Sequence, residues 1–245
     1  MQIKVLGYYG GYPTKEAGTS GYLISEDGYH VLLDCGSGVL MQLEKYLDPL
    51  QLDAVLLTHY HHDHIADLGV LQYYWQLRQG QRKEQVLPLY GHTADPLHFA
   101  SLTWPQATVG RAYDPEKTLV LGPLQVTFLR TVHPVPAYAV RITNQQGKSL
   151  TFTADTAYFS GLTNFVAGSD LLITDTNFAA DTPGKLWHMT STQSGQLAKD
   201  GQVGPLLLSH LPQQIDLTEI LQEAKSVAGN RPVQLAQTGL TLAIG

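Results

Sequence analysis

Seven consecutive residues, Thr58-His59-Tyr60-His61-His62-Asp63-His64, hold four histidines and an aspartate, and they constrain this chain more than any other stretch. Imidazole and carboxylate are the ligand types of Zn²⁺ and also serve Mn²⁺ and Fe²⁺, whereas Ca²⁺ and Mg²⁺ favour more oxygen donors. The apolar run Ala54-Val55-Leu56-Leu57 leads into the cluster and reads as a strand. Continued through the cluster, an extended period of two puts His59, His61 and Asp63 on one side, turns His62 away and brings His64 to the bend before Ile65. A loop that turns sharply after Asp63 can offer His59 and His61 to one ion and Asp63 and His64 to another, which points to a two-metal site. The cluster is internal and follows an apolar strand, which separates it from a tag or a His-rich tract.

One loop cannot hold two ions, so further donors are needed downstream. His133 follows the strand-like run Leu124 to Thr131 and precedes Pro134, Asp155 follows Leu150 to Ala154, and His210 follows Leu206 to Ser209. Side chains just past strand ends meet at a common rim of a layered sheet, so these three can converge on the cluster. His30, His92 and His98 lie in ordinary strand, turn and helix contexts, and Cys35 reads as a small packing residue.

The rest of the chain alternates between the two periodicities. The early part reads as strands at Ile3–Tyr8, Ser20–Ser25 and His30–Asp34, the last two joined by the turn signal Asp27-Gly28. Helices are expected over Val39–Leu47, stopped by Pro49, and over Leu68–Leu77, with Leu68, Leu71, Tyr74 and Trp75 as the buried stripe. Val86–Tyr90 reads as a strand whose Pro88 suggests an edge or an early position. The final third alternates helix and strand and ends on a last strand at Val233–Leu235. Pattern alone yields mixed α and β. Nothing reads as a linker or repeat, so residues 1–245 are expected to form one domain.

The cluster His59-Tyr60-His61-His62-Asp63-His64 resembles the His-x-His-x-Asp-His motif of the metallo-β-lactamase superfamily. The glycine-rich stretches Gly7–Pro13 and Leu33–Gly38 are similar to its early loops, so the resemblance covers most of the chain. It implies an α/β fold, a four-layer αβ/βα sandwich, and two divalent ions, Zn²⁺ foremost with Mn²⁺ or Fe²⁺ as alternatives. It implies His59, His61 and His133 as ligands of one ion, Asp63, His64 and His210 as ligands of the other, and Asp155 as the bridging carboxylate. His188-Met189-Thr190 ahead of a helix, a strand and His210, together with Ala154-Asp155-Thr156, resembles the ribonuclease Z branch, with Ala154 where that branch carries glycine. The resemblance there implies a catalytic His188 at the scissile phosphate, beside Asp63 acting on the attacking water.

One departure bears on the substrate. Ribonuclease Z carries a transfer-RNA-gripping arm between the third ligand motif and the bridging aspartate, and here His133 and Asp155 are only 22 positions apart. The net charge is −6 with 15 lysines and arginines, and the pI is about 5.9, which disfavours a long polyanion. The expected reaction is therefore hydrolysis of a small or cyclic phosphodiester, with RNA 3′ processing and thioester or lactone hydrolysis as alternatives. The single cysteine excludes an intrachain disulfide, and no run of about 18 apolar residues or signal peptide is found. A cytoplasmic protein without membrane contact is expected, and a homodimer is left open.

Overall fold

Alternating and continuously apolar segments assemble into two sheets that share one apolar interior. The computed structural model describes residues 1–245. The first half contains β1 (Gln2–Tyr9), β2 (Gly18–Thr19), β3 (Gly21–Glu26), β4 (Tyr29–Leu33), α1 (Val39–Leu43), β5 (Ala54–Leu56), α2 (His62–Ile65), α3 (Leu68–Leu77), β6 (Leu87–Gly91), α4 (Pro96–Ser101) and β7 (Thr108–Ala112). The second half contains β8 (Leu119–Leu121), β9 (Leu124–Arg130), β10 (Tyr138–Thr143), β11 (Ser149–Phe152), α5 (Gly161–Val166), β12 (Leu171–Asp175), α6 (Ser191–Asp200), β13 (Leu206–Ser209), α7 (Leu217–Val227), β14 (Val233–Leu235) and β15 (Thr241–Ala243).

One sheet runs β15-β1-β3-β4-β5-β6-β7, with β2 against β1, and the other runs β14-β13-β12-β11-β10-β9-β8. Between them lies an interior that draws Val5, Tyr22, Ile24 and Leu56 from the first sheet and Val126, Val140, Phe152 and Leu207 from the second. Tyr22 and Phe152 meet across it with ring centroids 5.2 Å apart. A second apolar layer packs α1 and α3 on the outer face of the first sheet, with Trp75 fully buried, and a third packs α5, α6 and α7 on the second sheet. This is the four-layer αβ/βα sandwich that the resemblance implies. Truncating a side chain such as Leu71 to alanine in these layers costs about 2–5 kcal/mol.

Local chemistry sets the connections. Asp27 and Gly28 adopt φ of 48° and 76°, the doubly left-handed turn that closes the β3–β4 hairpin between Glu26 and Tyr29. From β4 to β7 and again from β11 to β14 the strands are parallel, because helices on the outer face carry the chain back. Parallel strands put their carboxyl ends on one rim, and Asp34, the 59–64 loop, Asp155, Asp175 and His210 all emerge there.

Several local expectations change. Pro88 sits second in β6, an early position, but β6 is paired on both sides and the edge is β7, which carries no apolar alternation. The chain also adds β15, antiparallel to β1, after the expected last strand β14. The α1 helix ends at Leu43 and continues as turns, with Asp48 capping a short 3-10 turn at Pro49–Gln51. On α3 the buried residues are Leu68, Leu71, Gln72 and Trp75, with Tyr74 only partly covered. No helix is long and apolar enough to cross a membrane.

Candidate metal centre

Strand β5 ends at Leu56, so the extended period does not continue through the histidine cluster. His61 is still extended (φ −63°, ψ 147°), and Asp63 and His64 then point inward from the helical turn α2, which closes through His64 N–H donating to the His61 carbonyl at 2.9 Å. His62 turns to solvent, as the sequence suggests. The change from extended to helical backbone inside five residues is what directs four side chains toward one interior point.

The structure brings all seven expected ligand residues together in two groups of four that share Asp155. In the first, Nε2 of His59 and Nε2 of His133 lie 3.5 and 3.7 Å from Asp155 Oδ2, and His61 Nδ1 lies 3.1 Å from His133 Nε2. In the second, Nε2 of His64 and Nε2 of His210 lie 3.2 and 3.3 Å from Asp155 Oδ1, and Asp63 Oδ2 lies 3.1 Å from His210 Nε2. Each oxygen of Asp155 therefore faces a different group. His59 Nε2, His64 Nε2 and Asp155 Oδ1 are buried without any hydrogen-bond partner, although each points at other donors. Buried lone pairs converging in this way fit a cation, and three imidazoles with a carboxylate suit Zn²⁺.

Backbone strain marks the same rim. Asp34, Ala154 and His210 adopt left-handed φ of 57°, 50° and 51°, a region that costs a residue with a Cβ about 1–2 kcal/mol. Ala154, in place of the glycine of the ribonuclease Z pattern, holds this conformation just ahead of Asp155. Gly10 approaches so closely that an added Cβ would lie 2.6 Å from the His210 ring and from Asn177 Nδ2. Next to it, Gly11 N–H donates to Asp63 Oδ2 at 2.8 Å.

Two buried aspartates that the sequence reading did not single out orient the imidazoles. Asp34 accepts from Thr58 N–H at 2.9 Å and faces His64 Nδ1 at 2.7 Å. Asp175, the last residue of β12, accepts from Thr156 N–H at 2.9 Å through Oδ2, which also meets His188 Nδ1 at 2.8 Å. Its other oxygen lies 3.2 Å from His210 Nδ1. Both aspartates end apolar runs, His30–Leu33 and Leu171–Thr174, which is the same signal that picks out Asp155 and His210. His188 itself is not a helix cap; Thr190 caps α6, in a capping box with Gln193. Its ring stacks on His210 with centroids 4.9 Å apart, and its other edge opens on a cleft.

The electrostatics divide the histidines. Burial lowers the pKa of His59 and His61, and that of His133 to about 4, so these are neutral imidazoles at pH 7. Burial opposes charge on His64 and His210 too, but the carboxylates around them outweigh it. Asp155, Asp34 and Asp63 hold His64 well above its ordinary value, and Asp155 and Asp175 lift His210 to about 10. His188 is raised by Asp175 against its burial. Asp63 and Asp155 stay ionised despite burial because His64 and His210 face both. Without a metal the second group carries protons, and a divalent cation would replace them.

Comparisons with known proteins agree with this architecture. The sequence pattern of the beta-lactamase superfamily domain matches residues 29–211. The chain is 44% identical over 241 residues to the probable metallo-hydrolase YhfI of Bacillus subtilis, covering 98% of each. The crystal structure of the metallo-beta-lactamase fold protein YhfI from that organism superposes with a TM-score of 0.93 at 42% identity, again covering 98% of each chain. A ribonuclease Z of Methanopyrus kandleri is 25% identical over 265 residues, covering 93% of this chain and 92% of its own. On the match to the superfamily domain and on the likeness to YhfI along nearly its whole length, this chain belongs to the beta-lactamase superfamily.

Proposed function

We propose that the chain is a dinuclear-metal hydrolase that cleaves small or cyclic phosphodiesters, with His59, His61 and His133 holding one ion, Asp63, His64 and His210 the other, and Asp155 both. The observation that carries this reading is the pair of donor groups meeting on the two oxygens of one carboxylate, with His188 beside them. Two divalent ions, Zn²⁺ before Mn²⁺ or Fe²⁺, supply Lewis acidity and lower the pKa of a water from about 15.7 to about 7.

The residues of the chain do the rest. Asp63, ionised and fixed by Gly11 N–H, orients the attacking water and accepts its hydrogen bond. His188 points Nδ1 at Asp175, which directs Nε2 outward, and its raised pKa keeps a proton there for the departing oxygen. The water, one of its protons released to solvent, forms a P–O bond; the ester P–O bond breaks, the alkoxide leaves with the proton of His188, and His188 is reprotonated from solvent. The cleft beyond His188 has a volume of about 420 Å³ and is walled by Tyr158, Thr182, Thr190, Thr192 and Gln193, with no lysine or arginine. Such walls suit an uncharged polar group attached to a single phosphodiester. They offer nothing to a run of phosphates, which draws most of its affinity from Lys and Arg.

Ribonuclease Z-like processing of RNA is the second reading, favoured by the sequence similarity to the Methanopyrus enzyme; a thioesterase or lactonase is the third. Metal analysis of purified protein, followed by assays with bis-p-nitrophenyl phosphate, cyclic nucleotides, precursor transfer RNA, thioesters and lactones, separates them. The expected result is two ions per chain, cleavage of small phosphodiesters and no comparable rate on precursor transfer RNA. Efficient 3′ cleavage of precursor transfer RNA would overturn the selectivity, and silence on every phosphodiester with both ions bound would overturn the chemistry.

A further inference from the structure

Imidazoles that bind metal are held in place through their second nitrogen. Four of the five histidines in the two donor groups turn that nitrogen toward the protein: His59 Nδ1 to Thr58 Oγ1 at 3.1 Å, His64 to Asp34, His210 to Asp175, and His133 Nδ1 to the Trp187 carbonyl at 3.4 Å. His61 differs. Its Nδ1 faces His133 and the first donor group, and its Nε2 makes no hydrogen bond to the protein and is reached by solvent.

The ring of His61 instead forms one wall of a separate small cavity, about 60 Å³, whose other walls are Tyr60, His92, Asp95, His98, Val135 and Pro136. His92 is 1% exposed, and its ring nitrogens make no hydrogen bond of good geometry, the nearest acceptor being the Pro136 backbone carbonyl on the cavity wall. Its place is fixed from outside: the ring lies 4.5 Å from that of Tyr60, and the Tyr60 hydroxyl donates to the His92 carbonyl at 2.7 Å. Asp95 caps α4 through His98 N–H and pairs with His98 Nδ1 at 2.7 Å, so neither residue reaches across to satisfy His92. Ring nitrogens buried without a well-made hydrogen bond are costly, and the cavity has room for one or two waters that could supply it.

We infer that this cavity is a water site that joins His61 Nε2–H to the imidazole of His92, which makes His92 a positioning residue for the first metal ion. The inference rests on the metal assignment proposed above but not on the identity of the ester.

The test is metal affinity, read by competition with a chromogenic zinc chelator on metal-stripped full-length protein. His61→Ala is the control for the ligand assignment and is expected to lose the first ion. If it keeps both, the ligand assignment fails. His92→Phe, which preserves ring shape and removes both nitrogens, is expected to weaken the first ion by about tenfold or more and to leave the second unchanged. His92→Gln, which keeps a donor and an acceptor, should stay within about threefold of the parent. Val135→Leu fills the cavity from its apolar wall without touching a polar group and should reproduce the loss, so it decides the matter if His92→Phe does not fold. Parental affinity for both ions in His92→Phe or, failing that protein, in Val135→Leu would overturn the inference, as would an equal loss of both ions.

Discussion

Asp175→Asn changes one oxygen for an amide nitrogen and leaves shape intact, so its effect is confined to hydrogen-bond polarity and the loss of one negative charge. In the parent, Asp175 is completely buried and surrounded by donors: Thr156 N–H and His188 Nδ1 at Oδ2, and His210 Nδ1 at Oδ1. The carboxylate accepts from Thr156 and His188 and sets its charge 3.2 Å from His210 Nδ1 without a formed hydrogen bond there, and an asparagine cannot do both. If its carbonyl takes the Oδ2 position, the amide NH₂ faces His210 Nδ1 and selects the tautomer with the proton on Nε2. That is the atom 3.1 Å from Asp63 Oδ2, where the second ion would sit. If the amide is reversed, Thr156 N–H and His188 Nδ1 meet donors instead, at about 1–3 kcal/mol for each buried group left unpaired. The first arrangement is the smaller disturbance, and its cost falls on metal binding. We expect a second-ion affinity about 10–100-fold weaker, equivalent to about 1.4–2.7 kcal/mol, with the first ion unaffected. Turnover should fall by at least as much, because His188 also loses the charge that raises its pKa. Chelator competition measures the two affinities, circular dichroism verifies the fold, and bis-p-nitrophenyl phosphate reports the rate. A folded variant with parental second-ion affinity and parental rate would refute the assignment of Asp175 as the group that sets both imidazoles.

Other consequences are as direct. Asp155→Ala should strip more metal than His188→Ala, since Asp155 presents an oxygen to each donor group whereas His188 faces the cleft; equal losses by elemental analysis would contradict that division. Gly10→Ala should lower second-ion affinity in a protein that still folds, because its Cβ would arrive 2.6 Å from the His210 ring, and unchanged affinity would show that the loop yields. The metal-free protein should lose thermal stability as pH rises from about 7 to 10. His210 is raised from 6.5 to about 10 and His64 is raised as well, so their contribution is complete below 6.5 and disappears as the folded protein gives up those protons. It should also lose stability as pH falls below 6.5, since His133 is lowered to about 4 and stays neutral at the expense of folding in acid. With zinc bound the histidines are unprotonated ligands, and the decline above pH 7 should be absent from the melting curves.

What could be read from the residues was whatever depends on near neighbours. The 59–64 cluster declares itself because its donors lie within one bend of the chain. His133, Asp155 and His210 stand out because an apolar strand followed at once by a polar residue marks a strand end, and strand ends share a rim. The same signal was present at Asp34 and Asp175, yet it says only where a carboxylate emerges. That Asp175 serves His188 and His210 together follows from the parallel pairing of β12 with β13 and from the path of the chain before α6, contacts that span 13 and 35 positions. The extended period through the cluster failed for a local reason, the helical turn α2, which no apolar alternation announces.

Tertiary pairing alone decided the rest. Pro88 lies in an interior strand because β7 pairs beside it, and Thr241–Ala243 becomes a strand only by lying against β1 at the opposite end of the chain. The sequence around His92 reads as an ordinary turn, and its burial against Tyr60 and Tyr138 is created by elements far apart in sequence. Periodicity reports which face of a strand or helix avoids water, and residue type reports what a side chain can bind. Neither specifies which side chains meet, since long-range pairing fixes those distances, and with them the charge on each histidine and the division of Asp155 between two donor groups.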